Sequence, residues 1–70
     1  MKRMRIHSSS LNSIGYDAAS RTLEVEFQGG RVYRYFGVPA RRYRELLEAD
    51  SAGRFLNTRI KGVYDYAPVE

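Results

Sequence analysis

The residues best able to do chemistry in this chain are its cations and its tyrosines. His7 is the one histidine and there is no cysteine. Acid–base catalysis, nucleophilic catalysis and zinc binding each need a base, a thiolate or a ligand at a set spacing from its partners. No serine stands in a nucleophile-elbow context, and a lone histidine near a terminus is ordinarily solvated. The acids are Asp17, Glu24, Glu26, Glu45, Glu48, Asp50, Asp65 and Glu70. Only Glu24 and Glu26 fall next to each other on one strand face, where arginines offer them ordinary ion-pair partners. The sequence therefore predicts no catalytic set, no metal site and no cofactor.

Recognition chemistry is better supplied. Lysine and arginine number 12 against 8 acids, for a formal net charge of +4, and there are 6 tyrosines. Single-stranded or looped nucleic acid is held by cations on its phosphates and by aromatic faces on its unpaired bases. The candidates for charge are Arg34, Arg54, Arg59 and Lys61. Those for stacking are Tyr64 or Tyr66, with Tyr33 and Tyr35 if the core leaves an edge exposed. The same pattern has a structural reading, in which Tyr33 and Tyr35 are core residues whose hydroxyls reach the rim and Arg54 and Arg59 are a solvated helix face.

At 70 residues the chain makes one domain at most, and a domain this small buries a modest share of its surface. Without disulfides, stability must come from the core or from another chain. No apolar run approaches the roughly 18 residues of a membrane span, and the lead Met1-Lys2-Arg3-Met4-Arg5-Ile6 is not followed by the apolar core of a signal peptide. The expectation is a cytoplasmic protein with no membrane association.

The elements that must position these side chains follow from periodicity. Residues 1–7 show no sustained period and are expected as a flexible basic arm, and residues 67–70 as a tail, around one domain over 8–66. Leu11, Ile14 and Tyr16 suggest a strand, and Asp17 can close the turn after it by accepting from backbone amides. Thr22-Leu23-Glu24-Val25-Glu26-Phe27 alternates strictly, putting Leu23, Val25 and Phe27 on one face. Gly29-Gly30 marks a hairpin into Val32-Tyr33-Arg34-Tyr35. A loop of Gly29-Gly30 alone would pair Val25 with Arg34 and drive a guanidinium onto the apolar face. A loop of Gln28-Gly29-Gly30, with Gly30 left-handed, pairs Val25 with Tyr33, Leu23 with Tyr35 and Glu24 with Arg34. That second register agrees at every position and is the one predicted.

Pro39 suits the first position of a helix, with Tyr43, Leu46 and Leu47 as its buried stripe and Arg41–Glu45 and Arg44–Glu48 as exposed pairs. Arg41, Arg42 and Arg44 crowd the positive end of that helix dipole. Asp50-Ser51 can cap a second helix with Phe55, Leu56 and Ile60 as its apolar positions and Gly62 as its end. Gly53 inside it predicts a close backbone approach or an irregular first turn. Val63 to Pro68 could add an edge strand or pack over the core.

Taken together, Ile14-Gly15-Tyr16-Asp17, Leu23-x-Val25-x-Phe27 and Val32-Tyr33-Arg34-Tyr35-x-Gly37-Val38-Pro39 resemble the KTSC family. So do Tyr43, Leu46, Leu47, Ser51-x-Gly53-x-Phe55-Leu56-Asn57, Ile60-Lys61 and Tyr64. The family is a small domain named for the C-terminus of some lysyl-tRNA synthetases and also found standing alone. The resemblance implies a central tyrosine-x-tyrosine motif at Tyr33 and Tyr35 and suspected RNA binding. This chain has Gly29-Gly30 where the family more often has asparagine-glycine. The expected fold is α+β, a three-stranded antiparallel meander packed on one face against two short C-terminal helices. The expected function is a non-catalytic RNA-binding module; the alternative is a protein-interaction module offering a sheet edge or an aromatic patch.

Overall fold

The strict alternation of residues 22–27 places them at the centre of an antiparallel sheet. The computed structural model describes residues 1–69. Its sheet has five strands in sequence order: β1 (Met4–Arg5), β2 (Leu11–Asp17), β3 (Thr22–Phe27), β4 (Val32–Tyr35) and β5 (Tyr66–Pro68). Between β4 and β5 the chain forms α1 (Ala40–Glu48), α2 (Ala52–Phe55) and, directly after it, a π-helical turn, Leu56–Ile60. The α+β class is as expected, but the three-stranded meander is only β2 to β4. The sheet is wider by β1 and β5, segments of 2 and 3 residues that are too short to display a period of two.

The predicted register is the one observed. Leu23 lies opposite Tyr35, Glu24 opposite Arg34 and Val25 opposite Tyr33. Gly29 and Gly30 both take positive φ, at +96° and +94°, in a loop closed by Phe27 accepting from the Gly30 amide at 3.0 Å. Glycine enters this region without the cost other residues meet. In β2 the apolar residues Leu11 and Ile14 are three apart, a spacing that would put them on opposite faces. A bulge between Leu11 and Ser13 corrects it: Leu11 lies opposite Phe27 and Ser13 opposite Glu26, so two residues face one and Leu11, Ile14 and Tyr16 all turn inward.

The inner face meets the helices in one core of Leu11, Ile14, Leu23, Val25, Tyr35, Val38, Leu46, Leu56 and Ile60. Pro39 stands at the cap of α1 rather than inside it, with extended ψ of 152° and no side-chain hydrogen bond. Leu46 is buried but Leu47 is 41 % exposed, so the stripe expected of Leu46 and Leu47 together is narrower than predicted. A nine-residue helix lying over a small sheet presents one side of each turn, and Tyr43 and Leu46 fill it. Among the described residues the α1 ion pair is Arg42 with Glu45 at 2.9 Å, three apart, rather than Arg41 with Glu45 or Arg44 with Glu48.

Ser51 caps α2, its hydroxyl accepting from the Arg54 amide at 3.2 Å. Gly53 is a close approach as predicted: a Cβ there would lie 2.7 Å from Ser10 Oγ and 3.0 Å from Ser10 Cβ. The helix then widens. The Lys61 amide reaches back to the Leu56 carbonyl at 2.9 Å, and the Thr58 hydroxyl donates to the Arg54 carbonyl at 2.9 Å. Gly62, at φ +78°, turns the chain out of the helix toward β5.

The arm joins the sheet at the β2 edge and crosses the outer face at Gly15. Met4 pairs with Ile14 and Arg5 with Ser13, which places residues 4 and 5 of the expected arm inside the sheet. The arm then passes directly over Gly15, where a Cβ would lie 2.6 Å from the Lys2 carbonyl oxygen. Beside it, Arg3 donates to Ser13 Oγ at 3.0 Å and also pairs with Glu24.

Candidate nucleic-acid interface

Burial falls away along the inner face toward its β5 edge. Tyr35 is 1 % exposed, Tyr33 is half-buried, and Tyr66, opposite Tyr35 in the register, is 61 % exposed. The three rings pack in a graded cluster, with Tyr66 centred 5.7 Å from Tyr33 and 5.9 Å from Tyr35. Tyr33 in turn meets Phe27 edge-on at 5.6 Å. Above this row the Lys61 ammonium sits 5.2 Å from the centre of the Phe27 ring, a cation–π contact that holds the charge near the aromatic edge. Tyr33, Tyr35, Lys61, Gly62 and Tyr66 line one cleft of about 310 Å³. Burial first, and then the neighbouring Tyr33 and Tyr66 phenols, push the Tyr35 hydroxyl above the ordinary tyrosine range, so it is a neutral donor near pH 7.

The remaining candidates do not join this cleft. Arg34 is on the outer face, donating to Glu24 at 2.8 Å. Arg54 lines a depression with Asp50, Ser51 and Thr58 at the start of α2. Arg59 is exposed on the π-helical turn. Tyr64 is half-buried against the core and lines an adjoining depression of about 420 Å³ with Gly62, Val63, Asp65 and Tyr66. Arg34, Arg54 and Lys61 thus lie in three different places, and Tyr35 is buried. The burial of Tyr35 follows from its pairing with Leu23 at the middle of the inner face. Sequence reasoning missed Gly62 as part of the cleft and the placing of Lys61 over Phe27; the alternation did signal that Phe27 shares a face with Tyr33.

The outer face holds a second charged cluster. Glu24 is 4 % exposed, and its two oxygens accept from Arg3 and Arg34. Burial alone would raise its pKa, but the hydrogen bonds from Arg34 and Arg3 outweigh it and hold the carboxyl below the ordinary glutamate range. Ser13 links the cluster to Glu26 at 2.8 Å. Every member finds a partner here, as a structural ion-pair network does. At the β2–β3 turn, Ser20 Oγ donates to Asp17 at 2.7 Å and holds that carboxyl below its usual range. Among the described residues no three or more His, Cys, Asp and Glu converge as a metal site, and no helix is long and apolar enough to cross a membrane.

A family model described as the KTSC domain matches residues 7–64. The chain belongs to the KTSC domain family. A crystal structure of a KTSC domain protein from Yersinia pestis superposes with a TM-score of 0.93 at 38 % identity, covering 99 % of this chain and 97 % of that one. An uncharacterized protein of Stutzerimonas stutzeri is 52 % identical over 61 residues, 87 % of this chain and 86 % of the relative. A lysine–tRNA ligase of Trichormus variabilis is 35 % identical over 63 residues, 90 % of this chain but 11 % of the ligase. This KTSC domain therefore matches one relative almost end to end and a small part of another. Tyr66 and β5 lie just beyond the span of the family model, although the Yersinia structure covers them.

Proposed function

We propose that this KTSC domain is a non-catalytic RNA-binding module whose contact surface is the β5 edge of the inner face. The observation that carries the reading is an exposed tyrosine, Tyr66, packed on Tyr33 in the same cleft as Lys61. A flat ring beside a cation is the minimal unit that holds an unpaired base and its phosphate. The net charge of +4 adds long-range attraction for a polyanion. A relative that carries a matching segment is by its name a lysine–tRNA ligase, which makes tRNA a reasonable first ligand to try. The scatter of Arg34, Arg54 and Lys61 counts against a broad basic face and so against extended RNA contact, which leaves the reading to rest on the Tyr66 and Lys61 corner alone.

The sheet edges favour this reading over a strand-pairing module. β1 has 2 residues, and β5 has 3 of which Pro68 is one; proline has no amide to donate to an incoming strand. The test is a fluorescence-anisotropy titration with total tRNA and with single-stranded RNA at low and moderate salt. Binding in the micromolar range that weakens as salt rises is the expected result. Absence of salt-sensitive binding rejects it. Pull-down from a nuclease-treated lysate separates the two classes, since an RNA binder loses most of its partners and a protein binder keeps them.

A further inference from the structure

We propose that the cleft between β5 and the end of the π-helical turn is a slot for one unpaired nucleotide of a single-stranded RNA. Its base lies on Tyr66 and its phosphate is held by Lys61. This rests on the RNA-binding reading and specifies the unit recognised.

The chemistry of the lining selects the ligand. Lys61 has no carboxylate partner among the described residues, where the ion pairs are Arg3–Glu24, Arg34–Glu24 and Arg42–Glu45. Its ammonium is steered only by the Phe27 ring at 5.2 Å, which leaves its hydrogen-bonding capacity free. Tyr16 donates its hydroxyl to the Val38 carbonyl, but among the described residues the hydroxyls of Tyr33, Tyr35 and Tyr66 make no hydrogen bond to protein. Among the described residues the buried side-chain polar atom without a partner is Arg42 Nε, so the Tyr35 hydroxyl keeps access to solvent at the cleft. Gly62, which also lines the cleft, has an amide with no backbone acceptor among the described residues. The cleft is lined by a lysine, three tyrosines and a glycine; its nearest acid is Asp65, which lines the adjoining depression that shares Gly62 and Tyr66. Such a set calls for an anion rich in acceptors. The exposed face of Tyr66 adds a preference for a flat ring, and a nucleotide meets both demands. At about 310 Å³ the cleft is at the small end of ligand sites, which suits one nucleotide rather than a folded surface.

The test uses the full chain, labelled with nitrogen-15, titrated with uridine monophosphate and with a short labelled oligouridylate. Amide shifts at Gly62 and Tyr66 are expected with both ligands, and more strongly with the oligomer, whose flanking phosphates add contacts. Tyr66→Ala should weaken oligomer binding by about tenfold, and Tyr66→Phe, which keeps the ring, should retain most of it. Lys61→Gln should lower the slope of log affinity against log salt by about 0.7. RNA binding that is undiminished in Tyr66→Ala and Lys61→Gln, with shifts elsewhere, overturns the slot and leaves the RNA reading standing. No RNA binding by the unmodified chain overturns both. Shifts at Gly62 and Tyr66 caused by oligoglutamate and by neither nucleotide ligand overturn the slot in favour of an acidic protein segment.

Discussion

Glu24 is the residue on which the outer face turns. Its carboxylate is buried between Arg3 and Arg34, so Glu24→Gln removes a charge that both guanidiniums need. Since the arginines keep partial access to water, with side chains 30 % and 45 % exposed, the loss should be about 2 kcal/mol at neutral pH, read as a shift in urea midpoint. The pH dependence has a definite sign. The folded-state pKa lies below the unfolded one, so the contribution is full above the ordinary glutamate range and is lost as pH falls through the depressed folded value. The gap between unmodified chain and Glu24→Gln should therefore close on acidification; a gap independent of pH would show that charge is not what Glu24 contributes. At Gly53, alanine would gain about 1 kcal/mol of helix propensity. It would also place its Cβ 2.7 Å from Ser10 Oγ, and overpacking costs about 1–3 kcal/mol. Gly53→Ala should be net destabilising in thermal unfolding, and an unchanged or raised midpoint would mean that Ser10 swings away freely.

Among the elements, the ones with strict periods were legible and the ones set by distant contacts were not. β3 and β4 and their register followed from alternation and from keeping Arg34 off the apolar face. The Gly29-Gly30 loop length came from the same argument. The helix start at Ser51 was readable because capping is local chemistry. β1 was not readable: Met4–Arg5 is held by the free edge of β2 and by Gly15, which leaves room for the Lys2 carbonyl to cross, and nothing within residues 1–7 signals this. The π-helical turn has its one local sign in Thr58, a hydroxyl placed to reach the Arg54 carbonyl. The arm supplies a direct test. Gly15→Ala would push a Cβ to 2.6 Å from that carbonyl oxygen, which as backbone cannot rotate aside. Hydrogen exchange at the Ile6 amide, which donates to Asn12 O at 3.1 Å, should quicken as the arm lifts. Unchanged protection at Ile6 would mean that the arm tracks the sheet independently of Gly15.

At the scale of the whole molecule, the balance of charge was legible and its distribution was not. Arg34 could be assigned to the outer face from alternation, but the placing of Lys61 over Phe27 depends on where the helices end above the sheet. That endpoint is set by the core of Leu46, Leu56 and Ile60. The exposure of Tyr66 likewise depends on β5 lying beyond the helices' cover. A small basic domain with one aromatic corner should bind single strands modestly and let them go as salt rises. The most direct measurement of this account is photocrosslinking to single-stranded RNA carrying thiouridine, followed by mass mapping of the attached peptide. Attachment within residues 61–66 is expected. Attachment confined to the α1 arginines Arg41, Arg42 and Arg44 or to the outer face, or no attachment, would contradict it.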